Sequence, residues 1–129
     1  MKRGILFSLV LLSAALCVAA VTSADGVTKR IKFAKGKSSA TVSGSVVRGD
    51  RDTYILGAKA GQKATVRITS IEKNAVFQIE GPSGDLLAGA GETDDAMTWS
   101  GSLPADGDYK VIVGGTRANA SYRLRLSIR

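Results

Sequence analysis

The stretch "DRDTYILGAKAGQKATVRI", residues 50 to 68, decides the fold. Asp52 opens a run in which Tyr54 and Leu56 face one side, and Ala60-Gly61-Gln62 supplies a turn. Ala64, Val66 and Ile68 then alternate with Arg67 and Thr69. A period of two is the pleat of a half-buried strand, so the stretch reads as strand, turn, strand. Two other readings compete for the same letters. Arg48-Gly49-Asp50 spells an adhesion tripeptide, and Asp50 with Asp52 offers paired carboxylates. A three-letter motif recurs by chance, and Gly49 with Asp50 is what a hairpin turn between Val47 and Thr53 requires. Acid–base catalysis needs a pocket that the sequence does not supply. Asp50, Asp52, Asp94, Asp95, Asp106 and Asp108 all read as turn residues. Such oxygens suit hard cations, yet none of them follows the spacing of a twelve-residue calcium loop. The stretch is therefore architecture.

The same period runs outward along the chain. Tyr122, Leu124, Leu126 and Ile128 alternate with Arg123, Arg125, Ser127 and Arg129; Tyr109, Val111 and Val113 share one side of "DYKVIV". Met97, Trp99 and Leu103 oppose Thr98, Ser100 and Ser102, while "TKRIKF", "SATVSGSVV" and "NAVFQIEG" have strand composition. Turn clusters such as "AKGKS", "EGPSGD", "PADGD" and "GGTRANA" separate these runs. Strands and turns at intervals of roughly ten residues predict an all-β protein, an antiparallel β-sandwich (jelly-roll-like) of about eight short strands. Phe33, Tyr54, Phe77, Trp99, Tyr109 and Tyr122 fall on apolar-face positions and are expected in the core.

The N-terminus sets the compartment. Met1-Lys2-Arg3 precedes the apolar run "GILFSLVLLSAALCVAAV", and small residues at Thr22 and Ala24 follow it. This is the layout of a secretory signal peptide over residues 1–24, cleaved near Ala24, with one domain over 25–129. No stable membrane anchor is expected. Cleavage removes Cys17, the only cysteine, and the chain has no histidine. The domain must then fold on apolar burial without staples. Serine or cysteine hydrolase triads and histidine-bound zinc are excluded, and neither an enzyme nor a cofactor is expected.

The net charge is +7, falling to +5 without Lys2 and Arg3. Ten Lys or Arg crowd residues 27 to 67, whereas eight Asp or Glu occupy 72 to 108. A localised positive field suits an acidic partner surface. Alternation places Arg67, Arg123 and Arg125 on an outward cationic face. An alternative reading of the chain is a non-enzymatic envelope module that binds glycan, such as an anionic cell-envelope glycan, or protein through that face. Nucleic acid is disfavoured, because the chain is read as exported and no basic run carries interleaved aromatics.

Asp52-x-Tyr54, Ala60-Gly61-Gln62 and Pro104-x-x-Gly107-x-Tyr109 resemble the strand markers of the pre-peptidase C-terminal-like β-sandwich superfamily. With "FAKGKSSATVSG" (33–44) and "SLPADGDYKV" (102–111), the chain from about Ile31 to Ile128 is similar to the periplasmic inhibitors of goose-type (g-type) lysozyme. The resemblance implies a periplasmic or secreted protein that binds g-type lysozyme. It also implies partner contacts from the loop joining the last two strands, here Arg117 with Asn119 beside it. That loop, "GGTRANA", is shorter and less basic than the family's. A guanidinium fits this task, because it stays charged and engages a carboxylate through two parallel hydrogen bonds.

Overall fold

A computed structural model describes residues 26–129; the predicted signal peptide, Cys17 and the Ala24 cleavage site lie outside the described residues. Eight strands form two four-stranded sheets: β1 (Thr28–Arg30), β2 (Ser39–Val46), β3 (Asp52–Ala58), β4 (Lys63–Ser70), β5 (Ala75–Glu80), β6 (Thr98–Ser102), β7 (Gly107–Gly115) and β8 (Ala120–Ile128). One sheet has the order β1-β3-β7-β5 and the other β2-β8-β4-β6. Odd-numbered strands make one layer and even-numbered strands the other. Every connection between consecutive strands therefore crosses the sandwich, as in a jelly roll.

This corrects the expected hairpin over Val47–Thr53. The turn is there, with the Asp50 N–H on the Val47 carbonyl at 2.9 Å and Gly49 at φ 90°. It joins strands of different sheets, because Val46 and Asp52 must enter opposite walls of the core. The all-antiparallel expectation also needs amendment. β1 pairs with β3 in parallel, with Thr28 opposite Thr53 and Arg30 opposite Ile55.

The predicted alternation fills the space between the layers. Tyr54 and Leu56 of β3, Val111 and Val113 of β7, and Phe77 and Ile79 of β5 are buried from one side. Val66 and Ile68 of β4 meet them with Leu124, Leu126 and Ile128 of β8. Each such side chain contributes roughly 1.5–3 kcal/mol of transfer free energy. Phe33 and Trp99 are only half-buried and pack against the margin of this core.

The recognisable motifs are fold devices. Gly61 takes φ 87°, and the Lys59 N–H donates to Gln62 Oε1 at 2.7 Å, which closes the Ala-Gly-Gln turn. Tyr109 donates its hydroxyl to the Ala105 carbonyl at 2.6 Å and accepts from the Ala105 N–H at 3.0 Å. A tyrosine that ties back to backbone four residues upstream locks a strand entry, which explains Pro104-x-x-Gly107-x-Tyr109.

Asp52 is not the turn residue its letter predicts. It opens β3 and is 2% exposed. Its Oδ1 accepts the Val27 N–H at 2.9 Å, and its Oδ2 accepts the Tyr122 hydroxyl at 2.5 Å. Tyr122 has then spent its proton, so the 2.6 Å contact with Tyr54 has Tyr54 as donor. The rings meet edge to face with centroids 6.4 Å apart. This chain of hydroxyls ties the two sheets together and anchors β1. It also explains Gly44 in "FAKGKSSATVSG": a Cβ there would stand 2.6 Å from the Tyr122 hydroxyl oxygen.

The network has a pH signature. Burial, then the hydrogen bond to Asp52, pushes the Tyr122 phenol far above its ordinary range, and burial raises Tyr54 too. Both phenols hold their protons more tightly folded than unfolded. The stability this represents is complete below the ordinary phenol value of about 10 and drains away above it, at about 1.4 kcal/mol per pH unit for each phenol. Alkaline titration followed at 295 nm should show these two tyrosines ionising together with unfolding. Their ionisation near pH 10 with the fold intact would contradict the network.

Candidate functional site

Three connections meet at one end of the sandwich: 47–51 between β2 and β3, 71–74 between β4 and β5, and 116–119 between β7 and β8. Asn74 fastens them. It is 2% exposed, and its Nδ2 donates to the carbonyls of Arg117 at 3.2 Å and Asn119 at 3.1 Å. Its own carbonyl accepts the Thr116 N–H at 2.9 Å, and its N–H reaches Ser70 Oγ at 3.0 Å. One buried amide thus satisfies the backbone of a tight loop in which Ala118 is held at φ 53°.

Arg117 is exposed on this end and does not project alone. Its Nη2 donates to the Glu72 carbonyl at 3.1 Å, which bridges two of the loops. Asn119, also exposed, is tied to the neighbouring loop: its Oδ1 accepts the Arg48 N–H at 2.8 Å. The Arg-Gly-Asp letters are thereby bound into the same loop cluster. Next to Glu72 stands Ile71, 97% exposed. An isoleucine almost fully in water on a braced loop, next in sequence to the residue whose carbonyl Arg117 holds, is a ready anchor for a partner.

The remaining aspartates are mostly structural. Asp94 Oδ2 accepts the Gly91 N–H at 2.7 Å, and Asp106 Oδ1 accepts the Ala60 N–H at 2.7 Å. Asp108 lies in β7 instead of a turn and pairs with Arg30 through two contacts, at 2.6 and 3.2 Å. That guanidinium, chiefly by hydrogen bonding, holds the Asp108 carboxyl below its usual range. Among the described residues no three acidic side chains converge as a ligand set for a metal.

Arg67, Arg123 and Arg125 are brought together, on the outer face of the β2-β8-β4-β6 sheet. Arg67 stands directly opposite Arg125, and Thr69 opposite Arg123. This face adjoins the loop end, where Ile71 and Arg123 line one shallow groove, and runs away from it. Arg117 and Asn119 are not part of it.

Sequence reasoning missed Ile71 and Asn74. Ile71 carries a readable signal: the inward residues of β4 are even-numbered, so an odd-numbered isoleucine breaks phase. Asn74 carries none, because its carbonyl partners lie more than forty residues away.

No family model matches the chain. A curated relative, the "Inhibitor of g-type lysozyme" of Escherichia coli K12, is 39% identical over 114 residues, covering 83% of each chain. Among solved structures, Aeromonas hydrophila PliG, a periplasmic lysozyme inhibitor of g-type lysozyme, superposes with TM-score 0.70 at 34% identity. The match covers 82% of this chain and 100% of that one. The pre-peptidase C-terminal domain of a Bacillus anthracis collagenase matches at TM-score 0.55 and 17% identity over 79% of this chain and 94% of that one, which is a likeness of fold alone. With the β-sandwich, the strand markers and this level of identity in hand, the chain belongs to the family of g-type lysozyme inhibitors.

Proposed function

We infer that this protein is exported to the periplasm, matures near Ala24 and inhibits g-type lysozyme by seating its loop end in the enzyme's cleft. It acts by binding and carries out no reaction. Glycoside hydrolases work through paired carboxylates, so the cleft offers acidic partners to a guanidinium. The observation that carries the reading is Ile71, 97% exposed on the same loop whose Glu72 carbonyl Arg117 holds, with Asn74 bracing the loop end. Bracing matters because a loop already ordered loses little freedom on docking. Arg117 exchanges one neutral carbonyl for a carboxylate, a stronger acceptor.

The test is residual lytic activity of goose-, chicken- and invertebrate-type lysozymes mixed with the purified mature protein. Loss confined to the goose type is expected. Arg117→Ala should weaken it about tenfold, the loss of roughly 1.4 kcal/mol from one charge-assisted contact. Equal inhibition of all three enzymes, or of none, would contradict the inference.

A further inference from the structure

The outer face of the β2-β8-β4-β6 sheet has a composition that folding does not require. Its two central strands carry a cationic stripe. Arg123, Arg125 and Arg129 project along β8 and its end, and Lys63 and Arg67 along β4. The Arg129 N–H bonds the Lys63 carbonyl at 2.9 Å, so these two cations are neighbours, as Arg67 and Arg125 are. At about 3.4 Å per residue the stripe is roughly 20 Å long. The remaining outward positions of the four strands are all serine or threonine. Ser45 and Ser121 share a hydrogen bond at 2.8 Å on one flank, and Thr65 and Ser100 one at 2.9 Å on the other.

Two features mark this face as more than a solvated surface. First, it has no acidic side chain. The two ion pairs among the described residues are Arg30–Asp108 and Lys110–Glu80, so none of the five cations of the stripe is paired. Second, Arg67 and Arg125 are directly opposed across the ladder, an arrangement of like charges that costs stability. A surface kept soluble by charge intersperses both signs. Here one sign is concentrated on a flat, hydroxyl-flanked platform where a threonine would serve the strand better.

We propose that this face binds an extended anionic glycan, carrying carboxylate or sulfate groups, laid along β8 and β4. The arginines neutralise the acidic groups, and the flanking hydroxyls exchange hydrogen bonds with the sugar hydroxyls. The strands of this face present no apolar side chain outward. Ile71 at its loop end is a lone isoleucine, too little apolar surface to seat the face in a bilayer, which favours a glycan over a lipid headgroup layer. An inhibitor held on wall polymer would be concentrated where lysozyme attacks, but the binding itself does not depend on lysozyme inhibition.

The test is affinity of the mature protein for immobilised heparin and polygalacturonate, with neutral dextran and phosphatidylglycerol vesicles as comparisons. Binding to both acidic polymers, abolished by high salt and absent with dextran, is expected. The triple variant Arg67→Thr, Arg123→Ser, Arg125→Ser should bind at least tenfold more weakly with its thermal midpoint undiminished. The corresponding triple Arg→Lys variant should retain binding, and the double variant Arg67→Thr, Arg125→Ser, which leaves the Ile71–Arg123 groove intact, should leave lysozyme inhibition unchanged. Arg117→Ala should leave polymer binding intact while weakening inhibition, which separates the two surfaces. Equal polymer binding by the Thr/Ser variant would overturn the proposal, as would tighter binding to the vesicles or a fall in midpoint that accounts for the loss.

Discussion

Ile71→Asp is expected to weaken inhibition of g-type lysozyme at least about a hundredfold while leaving the thermal midpoint unchanged. The side chain is 97% exposed, so the fold gains nothing from it. Burial at a partner surface is worth roughly 1.5–3 kcal/mol for an isoleucine, and that is lost. The aspartate also brings a negative charge to an acidic cleft, where repulsion adds to the loss. Together they exceed the roughly 2.7 kcal/mol that corresponds to a hundredfold change. Inhibition assays and calorimetry on the same preparation check both halves. Retained inhibition would place the contact elsewhere.

The second large effect belongs to stability. Asp52→Ala removes the acceptor of both the Tyr122 hydroxyl and the Val27 N–H. It leaves one buried hydroxyl proton of the Tyr54–Tyr122 pair and the Val27 N–H without an acceptor, each at about 1–3 kcal/mol. The expected loss is about 3 kcal/mol or more, which for a domain of this size lowers the midpoint by roughly 10–20 °C. Amide exchange should also quicken in β1, whose entry Asp52 holds. Tyr122→Phe should cost less, because Asp52 then keeps the Val27 contact. Calorimetry of the two variants decides the order. An Asp52→Ala protein as stable as the parent would remove the network from the account.

Period-two alternation made the strands legible, since it states which residues share a face. It does not state which strand is the neighbour. The turns at Gly49 and Gly61 use residues that serve a hairpin and a sheet-to-sheet crossing equally, so strand pairing was hidden in them. Asp52 reads as a turn former because its burial depends on Tyr122, 70 residues away. Arg117 was visible as an exposed loop cation, but its bridge to Glu72 and the brace from Asn74 arise only when three distant loops meet. Likewise, alternation put Arg67 and Arg125 on an outer face, and only the register set them opposite each other.

The central claim is that the end bearing loops 47–51, 71–74 and 116–119 is the part that lysozyme covers. Hydrogen exchange of the mature protein, free and saturated with g-type lysozyme, tests it most directly. Slowed exchange at Arg48 to Arg51, Ile71 to Lys73 and Arg117 to Asn119, with no change at the opposite turn of Lys59 to Gln62, is the predicted footprint. Protection centred on Lys59 to Gln62 and the Pro104–Gly107 turn, with the Ile71 loop still exchanging freely, would contradict it.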